Sequence, residues 1–160
     1  MYHAKIIMKW GCEKMNINRL KDWNVWTCFV LVVSGAALSM GFRMLFQQIG
    51  IMYYEEVERQ LLTGKTKVYL VVELILLSPL LEEVFFRGIL FRWLRKRTPW
   101  ILAMVFSAVI FGLYHWNIPQ GIYAFVMGLF LAWSLEQYQT MKAPIVIHMA
   151  ANMMALIISI

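Results

Sequence analysis

Long apolar stretches separated by short polar breaks make up most of the chain. A helix crosses a bilayer with roughly 17–25 apolar residues, and five stretches approach that length: Val25–Phe46, Val68–Phe91, Trp100–Trp116, Ile118–Leu135 and Ala143–Ile160. The pattern predicts an all-α fold, a polytopic transmembrane bundle of about five spans. Between the first two stretches lies a polar segment with Glu55, Glu56, Glu58 and Arg59, suited to an interfacial helix or a surface loop. No linker, repeat or low-complexity tract interrupts the order. The expected organisation is a basic segment over 1–23, a leading membrane helix over 24–46, a polar connection over 47–67 and a membrane domain over 68–160.

Composition strengthens this reading. The chain has 160 residues, of which 61% are hydrophobic and 15% charged, with a mean hydropathy of +0.64; an ordinary soluble domain carries about 25% charged residues. The net charge of +6 does not point to nucleic acid, because neither a basic groove nor a stacking motif accompanies it. Basic residues in a membrane protein mark cytoplasmic loops instead. Lys5, Lys9, Lys14, Arg19 and Lys21 precede the first stretch, Arg92, Arg95, Lys96 and Arg97 follow the second, and Lys142 precedes the fifth. The opposite side carries Arg43, Arg59, Lys65 and Lys67. The expected location is therefore the cell membrane, with the N-terminus in the cytoplasm and, after five crossings, the C-terminus outside. Cys12 and Cys28 are too far apart in sequence and setting to suggest a CxxC motif or a disulfide framework. The first apolar run starts near Asn24, exceeds a signal peptide's apolar region and has no clear cleavage site, so it is expected to stay as an anchor.

Three polar clusters break the apolar pattern: Glu82-Glu83-Val84-Phe85-Phe86-Arg87, Phe111-Gly112-Leu113-Tyr114-His115 and His148-Met149-Ala150-Ala151-Asn152. A charge near the bilayer centre costs about 2.5–3.5 kcal/mol on insertion scales, so such residues mark functional sites by default. Glu83 and Arg87 are one helical turn apart in the favourable order for an ion pair. Glu82 points about 100° away and lacks that partner, which suits a general base. His148 and Asn152, also four apart, project from one helix face, and both can donate to one developing oxyanion. Each cluster also has a plainer reading. The carboxylates and guanidinium can staple helices as a charge-balanced network, His148 and Asn152 can hydrogen-bond across helices, and His115 can be an interfacial residue. Taken together, Glu82, His115 and His148 recur at about 33 residues, roughly a helix plus a turn. A carboxylate and two imidazoles converging in a membrane cavity can activate water or bind a divalent metal.

The run Pro79-Leu80-Leu81-Glu82-Glu83-Val84-Phe85-Phe86-Arg87-Gly88, with Phe111-xxx-His115 and His148-xxx-Asn152, resembles the EExxxR, FxxxH and HxxxN signatures of the CPBP family of intramembrane proteases. That family includes type II CAAX prenyl endopeptidases and bacterial proteins linked to bacteriocin processing or self-immunity. The likeness runs from about Ser78 to Asn152, and Phe125-Val126-Met127-Gly128-Leu129 is similar to the family's intervening helix. The resemblance implies an endopeptidase with a polar catalytic cavity, in which Glu82 activates the hydrolytic water and His115 holds and polarises it. His148 and Asn152 would form the oxyanion hole, and Glu83 with Arg87 would fix the geometry. The implied partners are a peptide or lipidated peptide and the lipid bilayer.

Some relatives are labelled metalloproteases. The glutamate-and-water scheme needs no cofactor, and no HExxH arrangement is present; zinc held by Glu82, His115 and His148 is the alternative. Ligation of a b-type haem by His115 and His148 would leave Glu82 and Asn152 unexplained. A non-enzymatic reading also stands, in which the same fold binds a toxic peptide or its receptor as an immunity protein. Gly35, Ala36, Ser39 and Gly41 allow close helix packing, within the chain or in a homodimer. The five simple spans meet one obstacle. At 1.5 Å per residue they place Glu82 roughly 15 Å, His115 roughly 24 Å and His148 roughly 8 Å from the cytoplasmic side. Groups that share one water cannot differ so much in depth, so either the helices are strongly tilted and unequal or the breaks near 117–120 and 138–144 shift.

Overall fold

The computed structural model describes residues 23–49, 64 and 66–159, and these form an all-α bundle. The expected basic segment, most of the polar connection and Cys12 lie outside the described residues. Helix α1, Val25–Gln48, starts at Asn24, whose side chain accepts from Thr27 N–H at 2.9 Å and satisfies one of the orphan donors of the first turn. The second helical run, α2, is not uniform. It passes from Lys67–Leu70 through wide π turns at Val71–Leu77, tightens to α-helix at Ser78–Glu83, widens again at Val84–Phe91 and closes with Arg92–Arg95. Helix α3 is Trp100–Tyr114, α4 is Ile118–Tyr138 and α5 is Lys142–Ser159.

Breaks between α3, α4 and α5 fall at 115–117 and 139–141, shorter and more sharply placed than the expected boundary zones. Asn117 caps α4 by accepting from Gln120 N–H at 3.2 Å, with Pro119 in the first turn, where its missing donor is harmless. Gln139 ends α4 in the left-handed region at φ 50°. This helix runs past Leu135 because Glu136 is held by Arg95 of α2, with Arg95 Nη2 and Nε at 3.0 and 3.2 Å from the same carboxylate oxygen.

Helix α1 packs chiefly on α5, and α3 on α4, while α2 lies against α3, α4 and α5. The α1–α5 approach depends on Gly35, where a Cβ would come 2.5 Å from the Ile147 carbonyl oxygen. Gly35 of the small-residue set on α1 is thus used within the chain, whereas a Cβ at Gly41 would meet nothing within 4 Å. Gly128 brings α4 against α3 in the same way, since a Cβ there would meet Ala108 at 3.1 Å. The core joins Leu31, Phe86, Phe111, Met127, Leu131 and Ile147 from all five helices.

The outward faces are apolar as well. Val25, Trp26, Leu81, Phe85, Ile89, Leu113 and Ile118 are all exposed, far more apolar surface than a soluble monomer leaves in water. Among the described residues two helices, α1 with 24 residues and α4 with 21, are long and apolar enough to cross a membrane. The protein is therefore membrane-associated through its apolar helices.

Candidate active site

Pro79 is where the site begins. Buried in α2, it offers no N–H to the carbonyls of the preceding turn, Ile75 four residues back or Leu74 five residues back in the π register. The Leu74 oxygen instead accepts from the Asn152 side-chain amide of α5 at 2.9 Å. Immediately after Pro79 the run tightens to α-helix, and in this stretch the two glutamates sit side by side with different surroundings.

Glu83 is fully buried with Arg87, whose Nη1 lies 3.1 Å from Glu83 Oε1. That approach is off the N–H direction, so the pair is held by charge more than by an aligned hydrogen bond. Arg87 Nη2 donates to the Gly128 carbonyl of α4 at 3.2 Å, and its guanidinium stands 4.4 Å from the Phe111 ring centroid of α3. A cation over an aromatic face in a desolvated setting gains about 2 kcal/mol. Arg87 thereby ties α2 to α3 and α4.

His148, nearly buried on α5, lies between the two carboxylates. Its Nδ1 is 2.9 Å from Glu83 Oε1, and its Nε2 is 3.7 Å from Glu82 Oε2. A carboxylate can only accept here, so Nδ1 carries a proton and donates to Glu83, which leaves Nε2 as the nitrogen directed at Glu82. Glu82 is partly exposed at 17% of its side chain, and its Oε1 accepts from Ser78 Oγ at 2.7 Å. The sequence left Glu82 without a partner; it lacks the guanidinium but has a hydroxyl and an imidazole.

His115 follows the end of α3. Its Nδ1 donates to the Phe111 carbonyl at 2.8 Å, which leaves Nε2 as the accepting nitrogen. The Phe111 ring joins the two histidines edge to face, 4.9 Å from His115 and 5.8 Å from His148 by ring centroids. Glu82, Glu83, Arg87 and His148 thus form one contiguous polar group. His115 adjoins it through Phe111, and Asn152 through the Leu74 carbonyl.

Two expectations change. Ideal parallel spans separate Glu82 and His148 by about 7 Å in depth, yet their side chains approach to 3.7 Å, with π turns on either side of the glutamates in α2. His148 and Asn152 do not act here as a free pair of donors: the imidazole faces the carboxylates and the amide binds a backbone carbonyl. The sequence reading also passed over Ser78, the Leu74 carbonyl and the Gly128 carbonyl. Only Ser78 carried a signal, its four-residue spacing from Glu82. For a metal, the donors do not converge: among the described residues no three His, Cys, Asp or Glu side chains are grouped to hold an ion. Glu82, His115 and His148 in this arrangement do not fit zinc.

A polar network centred on a glutamate pair and a histidine thus joins α2 to α3, α4 and α5. Residues 64–154 match the family model described as type II CAAX prenyl endopeptidase Rce1-like. That is more than half of the chain, and the chain belongs to this family. It is similar to the Bacillus subtilis (strain 168) protein "Putative membrane peptidase YdiL", 29% identical over 85 residues. The matched stretch is 53% of this chain and 35% of that relative, so the chain spans about a third of the length of the curated protein it matches. No solved structure matches it significantly.

Proposed function

We propose that the protein is an intramembrane endopeptidase that hydrolyses a peptide bond near the membrane by glutamate-activated water. The observation that carries this is the placing of His148 between a buried, charge-paired Glu83 and a partly exposed Glu82. Glu83 and Arg87 hold the imidazole in one tautomer, as a buried carboxylate does for a catalytic histidine. Glu82, the carboxylate with an open side, takes the proton from water as the oxygen attacks the carbonyl carbon. The tetrahedral intermediate that results carries its charge on the former carbonyl oxygen. His115 Nε2, free to accept, positions the water. Asn152 uses one amide hydrogen on Leu74 and has a second for the oxyanion, with His148 beside it. The proton held by Glu82 passes to the departing amine when the C–N bond breaks. No step needs a metal.

The membrane frame belongs to the same proposal. The five helices cross the bilayer with the N-terminus in the cytoplasm, α2 to α5 form the catalytic unit and α1 is the leading helix. The substrate is a CAAX-type prenylated peptide or a bacteriocin-type leader, both of which end or begin beside a membrane. The test is to reconstitute the protein in lipid nanodiscs with a farnesylated CAAX peptide and, separately, with a double-glycine leader peptide, and to read products by mass spectrometry. A new peptide terminus from either probe is expected. A protein that cleaves neither probe but still protects cells from a membrane-active peptide would instead be an immunity protein that binds without hydrolysis.

A further inference from the structure

Serines inside helices usually donate back to a carbonyl of their own helix, and this protein shows that habit twice. Ser34 donates to the Val30 carbonyl at 2.7 Å and Ser134 to the Leu131 carbonyl at 2.8 Å. Ser78 departs from it. Its hydroxyl donates forward to Glu82 Oε1 at 2.7 Å.

The carbonyl four residues behind Ser78 is that of Leu74, which accepts from Asn152 at 2.9 Å, while the Ser78 hydroxyl turns to the carboxylate on its other side. Ser78 also precedes Pro79 and opens the α-helical stretch, so its four-residue spacing to Glu82 follows the tight register and not the wide turns on either side. An O–H to carboxylate bond is among the stronger hydrogen bonds. It fixes one oxygen of Glu82 and leaves the other, Oε2, facing His148 Nε2 at 3.7 Å.

We propose that Ser78 is the positioning residue of Glu82: its hydroxyl pins Oε1 so that Oε2 is the oxygen presented to water and to His148. The inference rests on Glu82 being the base of the proposed hydrolysis. Ser78 itself touches neither water nor substrate, and its effect falls on turnover and not on binding.

The experiment compares Ser78→Thr with Ser78→Val, which have nearly the same shape and differ by the hydroxyl. In nanodiscs with the farnesylated CAAX peptide, Ser78→Val is expected to lower kcat by roughly 10- to 100-fold, the scale of misplacing a reacting group, with KM within about twofold. Ser78→Thr should restore most of the turnover. Equal kcat for Thr and Val, or a loss confined to KM, overturns the proposal. A Glu82→Gln variant that still turns over marks failure of the proposed function instead. If the wild-type protein cleaves no probe, a double-mutant cycle on melting temperature decides the contact itself. Ser78→Val and Glu82→Ala must then be clearly non-additive, and additive shifts overturn the proposal.

Discussion

Moving a carboxylate and a guanidinium out of water costs several kcal/mol per ion, and their attraction repays this only where further contacts satisfy both groups. Glu83 and Arg87 have those contacts in His148 Nδ1, the Gly128 carbonyl and the Phe111 face. Removing one partner leaves a buried charge unpaired. Glu83→Gln and Arg87→Met should each destabilise the purified protein by about 3–5 kcal/mol, while the double variant should lose clearly less than the sum. Thermal unfolding in detergent followed by tryptophan fluorescence measures this; additive losses would contradict the coupling. This pair was readable from sequence, because four-residue spacing puts both side chains on one face whether the turn is ideal or slightly wide. The same spacing joins Ser78 to Glu82, but a serine hydroxyl has its own helix carbonyls within reach. Which of them the hydroxyl takes, here Glu82 Oε1, depends on side-chain geometry that periodicity does not contain.

Among the elements, α2 departs furthest from its sequence pattern. Apolar counting predicts Val68–Phe91 as one helix, and a helical run is there, but its two π stretches bracket the glutamates. Such wide turns inside helices concentrate at functional sites, and here they give Ser78–Glu83 a register of its own. Pro79 and Asn152 should therefore be energetically coupled. Asn152→Ala leaves the half-buried Leu74 carbonyl without its donor, a loss of about 1 kcal/mol, the low end for an unsatisfied group. In a Pro79→Ala background the restored N–H can serve that turn, so the same Asn152 substitution should cost less. Equal costs in both backgrounds, measured by thermal unfolding, would detach Asn152 from the proline break. Helix ends elsewhere follow from polar residues that hydropathy ignores: Asn117 starts α4, and the Arg95–Glu136 pair carries it beyond Leu135.

For the whole molecule, the five helical segments were legible because each is a long apolar run, and a bundle is their natural packing. The layout of the cavity was less so. Depth along ideal parallel spans kept Glu82 and His148 apart, whereas the packed helices bring them together and leave His115 joined through Phe111. The proposed orientation makes a further prediction. With the native cysteines replaced, Lys96→Cys and Thr140→Cys should react with a membrane-impermeant maleimide only from the cytoplasmic side, and Trp116→Cys only from outside. Labelling of Trp116→Cys from the cytoplasm would contradict the five-crossing arrangement.

In the proposed hydrolysis the Glu82 carboxylate activates water. Glu82→Gln keeps the side chain's shape and an oxygen that can accept from Ser78, but removes the proton-accepting charge. The decisive measurement is product formation from the farnesylated CAAX peptide by this variant, purified and shown to unfold at the wild-type temperature. At least a 100-fold loss of kcat is expected, in line with the roughly 10²–10⁴-fold contribution of general-base catalysis. Turnover within a few fold of wild type by a folded Glu82→Gln protein would contradict that role of Glu82.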